Sequence, residues 1–234
     1  MSRPIVAIDG PAGAGKSTVA KGVADRLGYL YIDTGAMYRA VAWKALEANV
    51  PISDQQAVVA LAMRTDVSLA TINGEQHVFA DGEDVSQAIR TPEATRASSP
   101  VSALPGVRKR LVELQRNMAA DGGVVMEGRD IGTVVFPHAE VKVFLTATAE
   151  ERARRRVEQM REMGIKADPA KIAAEMRERD LRDSSRADAP LQQAPDAVLL
   201  DTDGMSVEQV IDAIVEIHNR KITQKGFSSR KQEK

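Results

Sequence analysis

The chain has 234 residues, 43% hydrophobic and 28% charged, an ordinary balance for a globular protein, and its net charge of -1 gives no general electrostatic case for nucleic acid or an anionic membrane as partner. It has no cysteine, which excludes disulfides, thiolate metal sites and cysteine nucleophiles. Aromatic residues are only 3%, which leaves few platforms for stacking single-stranded bases.

The first predicted element is a buried strand over residues 5–9, the apolar run Ile5-Val6-Ala7-Ile8 and Asp9. Gly10-Pro11-Ala12-Gly13-Ala14-Gly15-Lys16-Ser17 follows and fits G-x-x-x-x-G-K-[ST], a phosphate-binding loop. A helix over 17–27 comes next, with Val19, Val23 and Leu27 on one face. Strand, glycine loop and helix is the order this chemistry requires. Backbone N–H groups of the loop turn inward around phosphate oxygens, and the helix N-terminus adds its partial positive charge. Lys16 can reach the terminal phosphates, Ser17 can hold Mg²⁺, and Thr18 continues the loop into the helix.

Four further apolar runs, at 29–33, 124–127, 141–145 and 197–201, complete a predicted five-stranded parallel sheet. Helices are predicted at 37–49, 55–64, 107–120, 149–163, 169–182 and 206–219, and Ser206 with Gln209 reads as a capping pair for the last. Residues 66–86 break this rhythm. Val67 to Ile72 alternates with period two, Asn73-Gly74 is a turn, and His77 to Ala80 follows. Asp81-Gly82 is a second turn, and a third strand is expected to begin at Val85. This is a small antiparallel insert ahead of the stretch 89–105. Residues 165–190 mix both charges at helical spacing, as a solvated face does, and the polar, basic residues 221–234 read as a disordered tail. No run approaches the roughly 18 apolar residues of a spanning helix. The first residues lead directly into the loop strand rather than into a signal-peptide core, so a cytoplasmic location is the expectation.

Two segments at strand ends carry candidate chemistry. Asp33-Thr34-Gly35-Ala36-Met37-Tyr38-Arg39 ends the second strand; Thr34 is expected to cap the next helix, and Arg39, one turn in, to grip a phosphate. Glu127-Gly128-Arg129-Asp130-Ile131-Gly132-Thr133 follows a buried run, and charges there need partners or a substrate. Arg152, Arg154, Arg155 and Arg156, then Arg179, Asp183 and Arg186, provide cations for the charge of a transferring phosphoryl group. Consecutive arginines on a helix cannot all face one site, so one or two are expected to be merely solvated. His77, His138 and His218 lack metal-ligand spacing, and no N-K-x-D guanine-reading motif is present.

With these segments in view, the chain resembles bacterial cytidylate (CMP/dCMP) kinases, nucleoside monophosphate kinases of the P-loop NTPase superfamily. The resemblance rests on Ile8 to Ser17, Asp33 to Arg39, Val85-Ser86 with Ile89-Arg90, Glu127 to Pro137, and Glu178-Arg179-Asp180 with Asp183 to Arg186 and Ala189 to Leu191. It covers about residues 4–218 in one order. Thr34 stands where serine is common in that family and Glu127 where aspartate is common.

The resemblance implies an α/β, three-layer P-loop kinase fold with a five-stranded parallel sheet, an antiparallel CMP-binding insert and a mobile helical lid. It implies one domain over 1–220, with core 1–65 and 106–220, insert 66–105 and lid 150–186. It implies transfer of the γ-phosphoryl group of ATP to CMP or dCMP with Mg²⁺. A monomer is the default expectation, and the charge balance and short apolar runs lead to the expectation of no nucleic acid and no membrane as partner. Lys16, Arg129, Arg155 and Arg186 are the implied catalytic residues, and Arg154 joins the loop in binding ATP. Thr34, Tyr38, Arg39, Ser99, Arg108, Arg129, Asp130, Arg179, Asp183 and Arg186 are the implied acceptor-binding residues. Ser99, Arg108 and Asp130 should surround cytosine, whose N4 donor and N3 and O2 acceptors suit a carboxylate and a guanidinium; uracil reverses that pattern at positions 3 and 4. Two other readings remain at this stage: a kinase for another small acceptor such as UMP, shikimate or a coenzyme precursor, and a nucleotide-dependent switch or nucleic-acid-binding module.

Overall fold

The computed structural model describes residues 3–162 and 164–232, with the side chains of the final helix followed as far as Gln224. Packing divides the chain into two compact units, Met1–Tyr31 with Asp121–Lys234, and Ile32–Ala120.

The first unit is organised by the parallel sheet, whose strands are β1 (Arg3–Asp9), β2 (Leu30–Asp33), β6 (Gly122–Gly128), β7 (Val141–Thr146) and β8 (Val198–Asp201), in the order β2-β6-β1-β7-β8. Strand β2 runs across the division between the units at Tyr31 and Ile32. The central position of β1 follows from its composition, because Val6, Ala7 and Ile8 are wholly buried and a strand covered on both faces reads as a continuous apolar run. Its pairing with β6 sets Ile8 opposite Glu127 and Asp9 opposite Gly128, and on its other side Ile8 lies opposite Val143. The carboxyl ends of β1 and β6 therefore lie side by side. The chain leaves β1 toward one edge and later fills the other, so the loop after β1 stands at the topological switch point, where open α/β sheets bind ligands.

Helices α1 (Lys16–Leu27), α6 (Ala149–Glu162), α7 (Pro169–Ser185) and α8 (Val207–Gln232) belong to the same unit. Val19 and Val23 of α1 and Ile211 and Ile214 of α8 share a core with Val6, Ile8, Val125, Val143 and Leu145 of the sheet. The capping pair of α8 forms as expected: Ser206 N–H donates to Gln209 Oε1 at 2.8 Å, and Gln209 N–H donates to Ser206 Oγ at 3.2 Å. The same helix continues to Gln232, through most of the stretch expected to be a disordered tail. Residues 207–225 contain no proline or glycine to break the helix, and it carries on through Gly226. Residues 233 and 234 lie outside the described residues.

The second unit has its own core, formed by Met37 and Val41 of α2 (Thr34–Glu47), Val58 of α3 (Gln55–Arg64) and Val107 and Leu111 of α5 (Pro105–Met118). An antiparallel sheet adds Val67 of β3 (Val67–Ile72) and Val78 of β4 (Glu75–Ala80), closed by the short β5 (Glu83–Asp84). The third strand thus precedes Val85 rather than starting there. Helix α4 (Pro92–Ser102) was not predicted from periodicity, because its inward face is only Ala94, Ser98, Ser99 and Val101, and Pro100 lies within it. Its start is nonetheless written in Thr91-Pro92: the Thr91 hydroxyl accepts from Ala94 N–H at 3.2 Å, and proline occupies the first turn.

Candidate active site

The phosphate loop connects β1 to α1 with no room for a side chain at Gly10 or Gly13. A Cβ on Gly10 would lie 2.2 Å from the Leu145 carbonyl oxygen, and Gly10 takes φ +151°. Gly13, at φ +77°, lies against Arg152 of α6 and Met176 of α7, where a Cβ would meet the Met176 methyl at 2.7 Å. Gly15 precedes α1 and offers no side-chain cap. The first-turn amides of α1 are thus left for an anion, in a helix of 12 residues.

Lys16 is 5% exposed, and its Nζ donates to the Pro11 carbonyl at 2.7 Å, so the ammonium curls over its own loop. Burial, reinforced by the Arg129 guanidinium, lowers its pKa to about 7; Glu127 and Asp9 pull the other way. An incoming polyphosphate removes that penalty. The lysine is therefore a cation held short of its counter-charge.

The charged residues of the β6 end close into a network. Asp9 Oδ1 accepts from Ile131 N–H at 2.8 Å and Oδ2 from Gly132 N–H at 2.7 Å. Burial raises the Asp9 carboxyl to about 6, and the two amide bonds offset part of that rise. Tyr31 donates its hydroxyl to Glu127 Oε1 at 2.6 Å. Arg129 Nε donates to Asp183 Oδ2 at 2.9 Å, with Arg179 3.9 Å from the same oxygen, and Arg186 lies 3.5 Å from Asp130 Oδ1. Burial pushes the Asp183 carboxyl up, but Arg129 and Arg179 outweigh it and hold the group low. Arg129, Asp130, Arg179, Asp183 and Arg186 are thus paired across an alternation of charges gathered from the loop after β6, α7 and the turn after α7.

The arginines of α6 separate as helix geometry demands. Arg154 is 67% exposed and paired with Glu151, and Arg156 donates to Gln159 on the exposed side. Arg155 is fixed inward, with its guanidinium donating to Thr202 Oγ1 at 2.9 Å and to the Thr202 carbonyl at 2.8 Å. Arg152, one of the four candidate cations of this helix but given no catalytic or ATP-binding assignment by the resemblance, is the arginine that meets the phosphate loop. It donates to the Ala12 carbonyl at 3.0 Å, to the Ala147 carbonyl at 3.1 Å and to Asp180 Oδ2 at 2.5 Å.

The second unit holds Thr34, Tyr38, Arg39, Ser99 and Arg108. Helix α2 is capped by Asp33, not by Thr34: Asp33 Oδ1 accepts from Ala36 N–H at 2.9 Å, and Thr34 is already helical and buried. The correction has a simple cause, since the residue with extended backbone just before the helix is Asp33, and its carboxylate also suits the helix dipole. Asp33 Oδ2 pairs with Arg39 at 2.8 Å. Arg108 of α5 is 2% exposed and donates toward the Tyr38 hydroxyl at 3.4 Å, while Ser99 of α4 is 5% exposed. A buried guanidinium beside a phenol offers polar groups of the kind that hydrogen-bond a planar polar ligand.

Among the described residues there is no group of three or more His, Cys, Asp and Glu placed to hold a metal ion, and no helix long and apolar enough to cross a membrane.

The model for the family described as cytidylate kinase matches residues 6–220. A cytidylate kinase of Solibacter usitatus is 53% identical over 94% of this chain and 94% of its own. One from Pelotomaculum thermopropionicum is 55% identical over 92% of this chain and 95% of its own. A solved shikimate kinase from Acinetobacter baumannii aligns over 93% of this chain and 94% of its own, at 14% identity and a TM-score of 0.47.

Proposed function

The chain belongs to the cytidylate kinase family and is an ATP-dependent phosphotransferase that converts CMP to CDP; from that premise we propose which residues carry the transfer, that dCMP is accepted as well, and that Mg²⁺ assists. The observation that carries the reading is the buried, under-neutralised Lys16 of the phosphate loop in the same unit as the Arg129–Asp183–Arg179 and Asp130–Arg186 groups. Arg129 and Arg179 act on Lys16 as like charges, so these cations share one neighbourhood in which an incoming phosphate would be stabilised.

The acceptor oxygen of CMP is anionic near neutral pH, so no protein general base is needed. Catalysis is positioning and charge neutralisation. Gly10 to Gly15 and the first amides of α1 cradle the donor phosphates, Lys16 neutralises charge developing on the γ-phosphoryl group, and Arg129 and Arg186 act on the acceptor side. Arg155, held by Thr202, contributes beside the loop. Tyr38, Arg39 and Thr34 serve the acceptor phosphate, Ser99, Arg108 and Asp130 read cytosine, and Arg179 with Asp183 face the sugar. Ser17, an exposed hydroxyl in the first turn of α1, fits a hard cation that keeps most of its waters and takes phosphate oxygens. Bound there, Mg²⁺ would supply charge neutralisation on the β- and γ-phosphates.

The test is ADP formation from ATP and Mg²⁺ with CMP, dCMP, UMP, AMP and GMP in turn. Turnover is expected with CMP and dCMP far above the rest. Equal turnover with UMP would overturn the assignment of Arg108 and Asp130 as base readers, and dependence on no divalent cation would overturn the role given to Ser17.

A further inference from the structure

We infer that Asp9 is a positioning residue for phosphoryl transfer, holding the loop that carries Arg129 and Asp130 to the strand from which the phosphate loop springs. The inference rests on the functional reading above and adds to it a residue to which that reading gives no task. Asp9 is the last residue of β1, and Gly10 is next. Its side chain is buried, and its two carboxylate oxygens meet two adjacent amides, Ile131 at 2.8 Å and Gly132 at 2.7 Å. Those amides directly follow Arg129 and Asp130 in sequence.

Sheet packing does not call for an acid here. Val6, Ala7 and Ile8 fill the same strand with apolar side chains, and a carboxylate in their place is costly to bury. That cost is offset only by what the carboxylate holds. The loop is also tight around it: a Cβ on Gly132 would stand 3.3 Å from Asp9 Oδ2 and 3.2 Å from Lys142 Cδ. Lys142 in turn is anchored through its Nζ to the Pro137 carbonyl and to Asp196. The loop is thus pinned between a charged clamp on β1 and a lysine stem on β7. Its shape decides where Arg129 meets Asp183 and where Asp130 meets Arg186.

Asparagine is the informative substitution. It keeps the size of aspartate but offers one acceptor and one donor group to two N–H donors, so one amide must move. Misplacement of about 1 Å near reacting groups costs about 100-fold. Asp9→Asn is therefore expected to lower kcat/KM for CMP about 100-fold, while the Kd for ATP measured without acceptor stays within about threefold. Gly132→Ala, which presses a methyl group on Lys142 and Asp9 Oδ2 but leaves the carboxylate in place, is expected to give the same split at about tenfold. It also keeps the question answerable should Asp9→Asn fail to fold. Retention of CMP kcat/KM within about threefold in either folded variant would overturn the inference, as would a parallel loss of ATP affinity. Wild-type turnover of CMP in the same series tests the functional reading separately.

Discussion

The two units bury charge differently. The sheet unit buries Asp9, Lys16, Glu127, Asp130, Lys142, Arg152 and Asp183, and most of them touch another charged group or a loop amide. Among the described residues, the unit of residues 32–120 buries one charged side chain, Arg108, beside a phenol. Buried charges are expensive singly and tolerable in networks. The sheet unit is therefore a preorganised electrostatic device whose parts depend on one another, whereas the second unit presents polar groups from helices that an apolar core already holds. Substitutions in the first should couple strongly, and those in the second should add more nearly independently.

Lys16→Ala is the harshest way to break that contrast. It removes the cation proposed to neutralise the γ-phosphoryl group, and turnover should fall by about 10³-fold, with the protein still folded by circular dichroism. Strong residual turnover in the folded variant would remove the lysine from the mechanism.

Arg152→Ala strikes the network without touching the motif. It frees the Ala12 carbonyl and leaves Asp180 without its guanidinium, in a pair that is 10% and 23% exposed. Urea titration should show a loss of about 2 kcal/mol, and kcat/KM for ATP should fall about tenfold. Unchanged values for both would mean that the network is decorative.

The depressed lysine supplies a pH signature. Its pKa in the free protein is about 7, below the ordinary 10.5, so at pH 8 it is mostly neutral and must regain a proton when polyphosphate binds. ATP binding should take up a proton at pH 8 and almost none at pH 6, and the affinity should weaken about tenfold between them. Calorimetry in buffers of different ionisation enthalpy reads this directly, and an uptake of zero at pH 8 would contradict it. The same shift acts on stability. The unfolded chain binds more protons at Lys16 between about 7 and 10.5, so this residue makes the fold more stable as pH rises through that window.

Arg154→Ala is the mildest test. Its guanidinium is exposed in an i,i+3 pair with Glu151, and solvent screens such a pair. Turnover should stay within about twofold. A large loss of ATP affinity would mean that this exposed guanidinium binds ATP, as the resemblance implied.

Much of this was legible in the residues. The loop motif, the apolar strand runs, the Asn73-Gly74 hairpin turn and the Ser206–Gln209 cap are all local signals, and local signals survive translation into a fold. Helix α4 did not show itself, because alanines and serines leave no hydrophobic stripe, although Thr91-Pro92 marked its start. Asp9 was given no task, and Arg152 was not singled out among the four arginines of its helix, for a different reason. Their partners are backbone groups far along the chain, at Ile131 and Gly132 for one and at Ala12 for the other, and no sequence spacing encodes them. The reasoning that flagged Glu127 to Asp130, that charges at the end of a buried strand need partners, applied equally to Asp9 and would have found it.

The most direct test of the account is the ratio of kcat/KM for CMP to that for UMP, in wild type and in Asp130→Ala. The account predicts a large ratio in wild type that collapses in the variant mainly through loss of CMP turnover, because the carboxylate that accepts from cytosine N4 is gone. An equal fall for both nucleotides, or a wild-type ratio near one, would contradict it.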